Sequence, residues 1–341
     1  MDKLDFYLQK VIGKRTIEDL YKADGTLIIP ANIVITYDHV ILLEENNIDL
    51  TEADVKDIGA DFEQHSQMID ETVVHVRDIF GDIRKKREIQ LVPLREQVLP
   101  MIHAASDSKH LIHLFSALQA KDDYTYRHNI AVGAIANLIG KWMKLNQQDL
   151  MQLTTAALLH DVGKMMIPEQ VLNKAERLTD KEFGLMKKHT VYGYDILKET
   201  VGINHRQALV ALQHHERMDG SGYPMGLKKD EIDLYSRIVS VADIFHAMSS
   251  NRVYQNQFPF YKVISEMEKE MFGSLDPEIT FLFIEHTMNS LIGNTVQLTD
   301  GREGTIVLVS KTAPTRPLIK VADEFIDLSK NSDLQIEQIN S

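Results

Sequence analysis

The chain has 341 residues, 44% of them apolar and 26% charged, with a formal net charge of −13 and no cysteine. At roughly 100 to 200 residues per domain this length suits two or three units, and the acidic balance argues against a polymeric nucleic-acid partner, which would need a basic face to neutralise phosphates. Thiolate metal sites are excluded, so any metal must be held by nitrogen and oxygen; no run reaches about 18 apolar residues and Met1 to Asp5 lacks a signal-peptide pattern, so a cytoplasmic protein without a membrane partner is expected.

Taken in chain order, residues 1–50 hold short β-rich runs, Thr26 to Pro30 and Ile33 to Tyr37, broken by polar turns; this reads as a small N-terminal α/β regulatory module. Residues 51–121 turn helical and charged, with a basic run from Arg84 to Arg87 read as a solvated helix face. Such a helical linker suits a dimer stalk, so a homodimer through it is expected. Residues 122–293 read as an all-helical domain. Thr179 with Glu182 forms a capping box, Asp276 followed by Pro277 caps another helix, and Asp149 precedes the apolar run Leu150 to Leu159. Residues 294–341 change character again: Val296 to Leu298, Thr305 to Val309 and Leu318 to Val321 predict a short β-rich appendage. The fold class is therefore mainly α, with a small module before the helical domain and a β-rich tail after it.

Seven of the fourteen histidines fall between His128 and His246. Neutral imidazole and carboxylate are ligands of divalent transition metals. His160 and Asp161 end an apolar helix, Gly163 lets the chain turn away, and Lys164 follows at the same mouth. His189 is expected within the helix opened by Thr179, His214 and His215 at the end of another, and His128 at the start of an apolar helix. Asp243 lies inside the apolar run Arg237 to Phe245, where an ionised carboxylate needs a partner. The set His128, His160, Asp161, His189, His214, His215 and Asp243 exceeds what one ion needs; it suits two ions, with Asp161 as the shared bridge. His39, His65, His75, His103, His110, His113, His205 and His286 are read as structural or solvated, and His246 as a supporting residue one turn beyond Asp243.

The segments HDVGK (160–164), LNKAERLTDKEF (172–183), HHERMDGSGYP (214–224) and RIVSVADIF (237–245) together resemble the HD-GYP family, a branch of the metal-dependent HD phosphohydrolases, over about residues 122 to 290. The resemblance implies an all-helical HD-type catalytic domain that hydrolyses cyclic di-GMP to pGpG or GMP, with a hydroxide bridging two ions and in-line displacement of a ribose 3′-oxygen. Asp161 and Lys164 would be catalytic; Lys164, Tyr223 and Arg252 would contact substrate, Lys164 and Arg252 by their charge on phosphate oxygens. Iron or manganese is implied as the ion. The chain departs from the family's usual pattern at His246, where an Asp is usual, and at Val253, where a Pro is usual. A Glu that recruits a third ion in some members is replaced by Tyr124, while Asp123 next to it keeps a third ion in play. Two alternatives stand beside this reading: a catalytically silent cyclic-dinucleotide receptor that signals to a protein partner, and a phosphodiesterase for another cyclic dinucleotide such as cyclic GMP-AMP.

Overall fold

The computed structural model describes residues 7–340 except 8, 9, 13, 32, 34, 36, 57, 87, 88, 107–110, 119–123, 175, 251–259, 272 and 332. Asp123, Arg252 and Val253 are therefore outside the described residues, as is the side chain of Tyr124. The chain forms two compact units, Met1–His65 and Ser66–Ser341.

The first unit is small. Strand β1 (Arg15–Thr16) pairs antiparallel with β4 (Val55–Lys56), and β2 (Leu20–Tyr21) with β3 (Leu27–Ile29). Between β3 and β4 lies helix α1 (Tyr37–Glu45). Val11, Ile29, Ile35, Val40, Leu43 and Val55 make its apolar core, and the buried Leu50 N–H donates to the Tyr7 hydroxyl at 3.1 Å. The β run expected from Ile33 to Tyr37 is not a strand where it is described: Ile35 fills the core and Tyr37 opens α1.

Helix α2 (Ile58–Lys86) carries the chain into the second unit, which is helical up to residue 289. After a turn of π-type bonding at Leu94–Val98 come α3 (Leu99–Ala105), α4 (Leu111–Leu118), α5 (Tyr124–Trp142) and α6 (Gln147–Leu159). Three short elements follow: a 3₁₀ turn (Val162–Met166), α7 (Glu169–Leu172) and α8 (Asp180–Met186). Longer helices complete the set: α9 (His189–Glu199), α10 (His205–Gln213), α11 (Leu234–Ser249), α12 (Phe260–Glu270) and α13 (Pro277–Asn289). The central helix is α5, buried on every face from residue 127 to 140, where mostly apolar residues surround the polar Arg127, His128, Asn129 and Asn137. Around it Phe115, Phe245 and Phe283 pack ring on ring, with centroids 4.8 Å apart for Phe115–Phe245 and for Phe245–Phe283.

Capping fixes where these helices begin. The Thr179–Glu182 box opens α8, and Asp276 accepts from the N–H of Glu278 and Ile279 at the start of α13, with Pro277 in its first turn. For α6 the cap is Asn146, whose side chain accepts from the Asp149 N–H at 2.9 Å, rather than Asp149 itself. Arg84, read from sequence as a solvated cation, pairs with Glu169 of α7.

The tail forms a five-stranded antiparallel sheet, order β8-β7-β6-β5-β9, from β5 (Thr295–Leu298), β6 (Glu303–Leu308), β7 (Leu318–Val321), β8 (Glu324–Asp327) and β9 (Ile336–Asn340). Its inward residues Val296, Leu298, Ile306, Ile319 and Ile336 belong to the same apolar cluster as the helices. The Tyr261 hydroxyl of α12 donates to the Thr315 carbonyl, and Thr315 Oγ1 donates to Glu268 at 2.7 Å. Among the described residues, no helix is long and apolar enough to cross a membrane.

Candidate metal centre

All seven residues expected as ligands come together, drawn from five places in the second unit. His128 is in the first turns of α5; His160 closes α6 and Asp161 precedes the 3₁₀ turn; His189 is the first residue of α9; His214 closes α10 with His215 next; Asp243 is midway along α11. His189 differs from expectation, because the helix opened by Thr179 ends at Met186 and a new one starts at His189 after the Lys187–Lys188 turn. From that first helical position its Nε2 comes within 3.3 Å of Asp161 Oδ1.

Two groups of ligand atoms each lie within 4.8 Å of one another: Asp161 with His189, His214 and His215, and His128 with His160 and Asp243. Asp161 joins them. Its Oδ1 is 3.3 Å from His189 Nε2 and 3.7 Å from His214 Nε2, and its Oδ2 is 3.4 Å from His160 Nε2 and 3.5 Å from His128 Nε2. Asp243 Oδ1 is 3.2 Å from His128 Nε2, and Oδ2 is 3.9 Å from His215 Nδ1.

The tautomers follow from the partners. A carbonyl can only accept, so each imidazole nitrogen that faces one carries the proton. His160 Nδ1 donates to Ala157 at 2.7 Å, His189 Nδ1 to Met186 at 2.7 Å, and His214 Nδ1 to Val210 and Ala211, each at 3.0 Å. The three Nε2 atoms are then lone pairs aimed inward. His189 Nε2 and His214 Nε2 face each other at 3.3 Å, and neither can donate to the other. His160 Nε2 and Asp161 Oδ1 are buried with no hydrogen-bond partner among the described residues. Buried acceptors facing buried acceptors are costly unless a cation stands between them. The residues present therefore fit divalent metal, which would be held by Nε2 of His160, His189 and His214 and the carboxylates of Asp161 and Asp243, with His128 and His215 at the two ends.

Burial keeps the imidazoles in the ligating, neutral form. It lowers His160 and His214, brings His189 down to about 4 against the pull of Asp161, and His215 to about 3 against Asp243. For the carboxylates burial works upward, but it is outweighed. Lys164 and His160 hold Asp161 well below the usual range, and the neighbouring His128 does the same for Asp243.

His246 supports the centre from behind. Its Nδ1 lies 3.0 Å from His128 Nδ1, and its Nε2 lies 3.1 Å from Ser250 Oγ and 3.4 Å from the Leu118 carbonyl. With Nε2–H donated outward, His246 Nδ1 accepts the His128 Nδ1–H, which leaves His128 Nε2 as the lone pair facing Asp161 and Asp243. Such outer hydrogen bonds set ring orientation and basicity in metal sites.

The backbone explains the glycines. Gly163 does not take a positive φ; a Cβ there would lie 1.9 Å from the His189 carbonyl oxygen and 2.4 Å from the Gly193 N. Close approach of the 3₁₀ turn to α9, not a turn-away, is why glycine occupies it. Gly222 is similar, its Cβ falling 2.4 Å from Arg217 N, whereas Gly220 needs its positive φ of 84°.

The loop after His215 is tied down by a residue that sequence reading did not single out. Buried Glu216 accepts from Met225 N at 2.7 Å and Leu227 N at 2.9 Å, and Arg217 donates to Ser240 Oγ of α11 at 2.9 Å. These bonds set Tyr223 against the centre: its ring lies on the His215 ring, centroids 4.7 Å apart, and burial pushes its phenol up. Lys164 pairs with Asp161 Oδ2. Of the histidines read as structural, His103 meets buried Asn137 at 3.0 Å and His286 stacks on Trp142 at 4.6 Å.

A family model described as an HD domain matches residues 109–279, half of the chain. The chain belongs to the HD-domain family. The four motif blocks that resemble the HD-GYP branch of HD proteins fall within or across this match, and that resemblance is borne out by its relatives. This HD protein is 34% identical over 220 residues to a cyclic di-GMP phosphodiesterase of Pseudomonas aeruginosa, covering 64% of this chain and 53% of that one. It is 40% identical over 166 residues to a cyclic di-GMP phosphodiesterase of Thermotoga maritima, covering 48% and 45%. It is also 35% identical over 181 residues to a 3′3′-cGAMP-specific phosphodiesterase of Vibrio cholerae, covering 53% and 39%. The HD protein thus spans about half the length, or less, of these curated relatives.

Proposed function

We propose that the protein is a metal-dependent phosphodiesterase that hydrolyses cyclic di-GMP to pGpG or GMP. The observation that carries this reading is the pair of ligand groups joined by Asp161. His160, His189, His214, His215 and His128 with Asp161 and Asp243 would hold two divalent ions, iron or manganese. Such ions supply Lewis acidity toward a phosphodiester and a water nucleophile of lowered pKa.

This chain's own residues do the rest. Asp161, kept ionised by Lys164 and by the surrounding imidazoles, supplies the central negative charge that draws cations into the cavity. Lys164, about a quarter exposed beside Asp161, brings an ammonium to a phosphate oxygen at the mouth. Tyr223 stays a protonated phenol, able to donate to an oxygen of the leaving ribose or the phosphate, and its ring shields the His215 edge from water. Arg252, from the motif alone, is a second cationic contact. A third ion depends on Asp123 and the Tyr124 side chain. Cytoplasmic location, a homodimer through the helices of residues 51–121, and regulation by the N-terminal unit belong to the same proposal.

The test is incubation of purified protein, with measured iron and manganese, against cyclic di-GMP. Appearance of pGpG or GMP is expected, with turnover and bound metal both lost in Asp161→Ala. Full activity in that variant would sink the assignment. The relative named for cyclic GMP-AMP favours one alternative substrate, so both dinucleotides are assayed side by side. A silent receptor, binding nucleotide without product in metal-loaded protein, is disfavoured because every ligand position is filled.

A further inference from the structure

Helix α8 has no buried residue, which is unusual for an element inside a packed domain, since most helical stability comes from burying an apolar face. Polar staples hold it instead. Thr179 and Glu182 form its capping box, and Lys174 donates twice to Glu182 at 2.8 and 2.7 Å. Its largest apolar side chain, Phe183, is 47% exposed. Phe183 nevertheless does not face open solvent alone. Its ring meets the Tyr223 ring edge to face at 6.4 Å, and Tyr223 in turn lies 4.7 Å from the ring of His215. Lys187, in the turn just before His189, holds its Nζ 5.3 Å from the Phe183 centroid and 5.7 Å from that of Tyr223.

A row of three rings thus runs outward from the metal centre, with an ammonium above the outer two. We propose that this row is a nucleobase subsite: Phe183 is the stacking surface for one base of the substrate, and Lys187 is a cationic contact for the anionic ribose–phosphate linkage that connects that base to the centre. The inference deepens the phosphodiesterase reading and rests on it. It explains a helix that contributes nothing to the core yet is pinned by side-chain hydrogen bonds among Lys174, Thr179 and Glu182 at its start. Stacking is indifferent to base identity because every base has a π-face, so the subsite should serve guanine and adenine alike.

The experiment compares wild type, Phe183→Ala, Phe183→Trp and Lys187→Met on cyclic di-GMP, on 3′3′-cyclic GMP-AMP and on methyl p-nitrophenyl phosphate, a phosphodiester without a nucleobase. Metal content and calorimetric nucleotide binding are measured for each protein. In Phe183→Ala the KM and Kd for both dinucleotides should rise about 5- to 150-fold, the range that loss of one stacked base corresponds to. Metal content and rates on the base-free ester should stay within about twofold. Phe183→Trp should restore wild-type KM, and Lys187→Met should raise KM while flattening its dependence on salt. Unchanged dinucleotide binding in Phe183→Ala would overturn the subsite while leaving the phosphodiesterase standing. Equal losses on all three substrates would also overturn it, by making Phe183 structural. A wild type that neither binds nor cuts either dinucleotide would remove the parent reading and the subsite with it.

Discussion

Replacing Gly163 by alanine tests whether the close fit between the HDVGK turn and α9 builds the centre. The added methyl would sit 1.9 Å from the His189 carbonyl oxygen, 2.4 Å from the Gly193 N and 2.9 Å from the His189 carbonyl carbon. All three are backbone atoms, so no rotamer change relieves the clash; the turn and the helix must part by more than an ångström to reach ordinary contact. Overpacking of this kind costs typically about 1 to 3 kcal/mol, and the absence of a side-chain escape places Gly163→Ala at or above the upper end. For a unit of this size, about 3 kcal/mol corresponds to a fall in Tm of about 5 °C. The parting also moves Asp161 and Lys164, on one side, away from His189 on the other, so bound metal and turnover should fall together. Calorimetric melting of the metal-free variant and metal analysis of the loaded one read the two effects separately. A Gly163→Ala protein with wild-type Tm and full metal content would refute the reasoning.

Two further outcomes follow from protonation and from the outer shell. With His189 at about 4 and His215 at about 3, against an ordinary value near 6.5, the folded protein takes up fewer protons than the unfolded chain between pH 6.5 and about 4. Metal-free stability should therefore fall as pH is lowered through that window, read as a shift of the urea midpoint between pH 7 and 5. Loaded protein should keep its metal to well below pH 6.5; half-loss on dialysis near 6.5 would contradict the lowered values. Removing the acceptor behind His128 with His246→Leu should weaken metal binding about 10- to 100-fold, measured by chelator competition. His246→Asn, whose Oδ1 can occupy the Nδ1 position, should keep most of it, and equal affinity in all three proteins would count against the relay.

The clustered set was legible because its chemistry is local to short motifs: a histidine beside a carboxylate at a helix end, a histidine pair at another, an acid within an apolar run. What the motifs could not convey was how the backbone delivers them. His189 looked like the continuation of the Thr179 helix because nothing in Lys187 and Lys188 breaks a helical pattern; the break is made by docking against the 161–164 turn. Gly163 looked like a turn residue because the sequence gives no sign of the chain segment lying against it. Glu216 sat inside a recognised motif, yet its task of accepting two loop N–H groups depends on a loop path seen only in three dimensions. In the tail, β5, β6 and β7 announced themselves by β-branched runs, whereas β8 and β9, with the sequences EFID and IEQIN, owe their extended form to partners across the sheet.

The C-terminal sheet shares one apolar cluster with the helices, from Ile69 of α2 to Ile336 of β9. It is therefore no detachable accessory. Cutting the chain near residue 293 to isolate the helices of the candidate centre would strip cover from Met288, Leu291 and the α12 face around Val263 and Met267, all buried, leaving an adhesive wound. Any engineering of this protein, whether a shortened fragment or a fusion, has its natural splice point ahead of Ser66, and the last strand has to travel with the helices that carry the candidate centre.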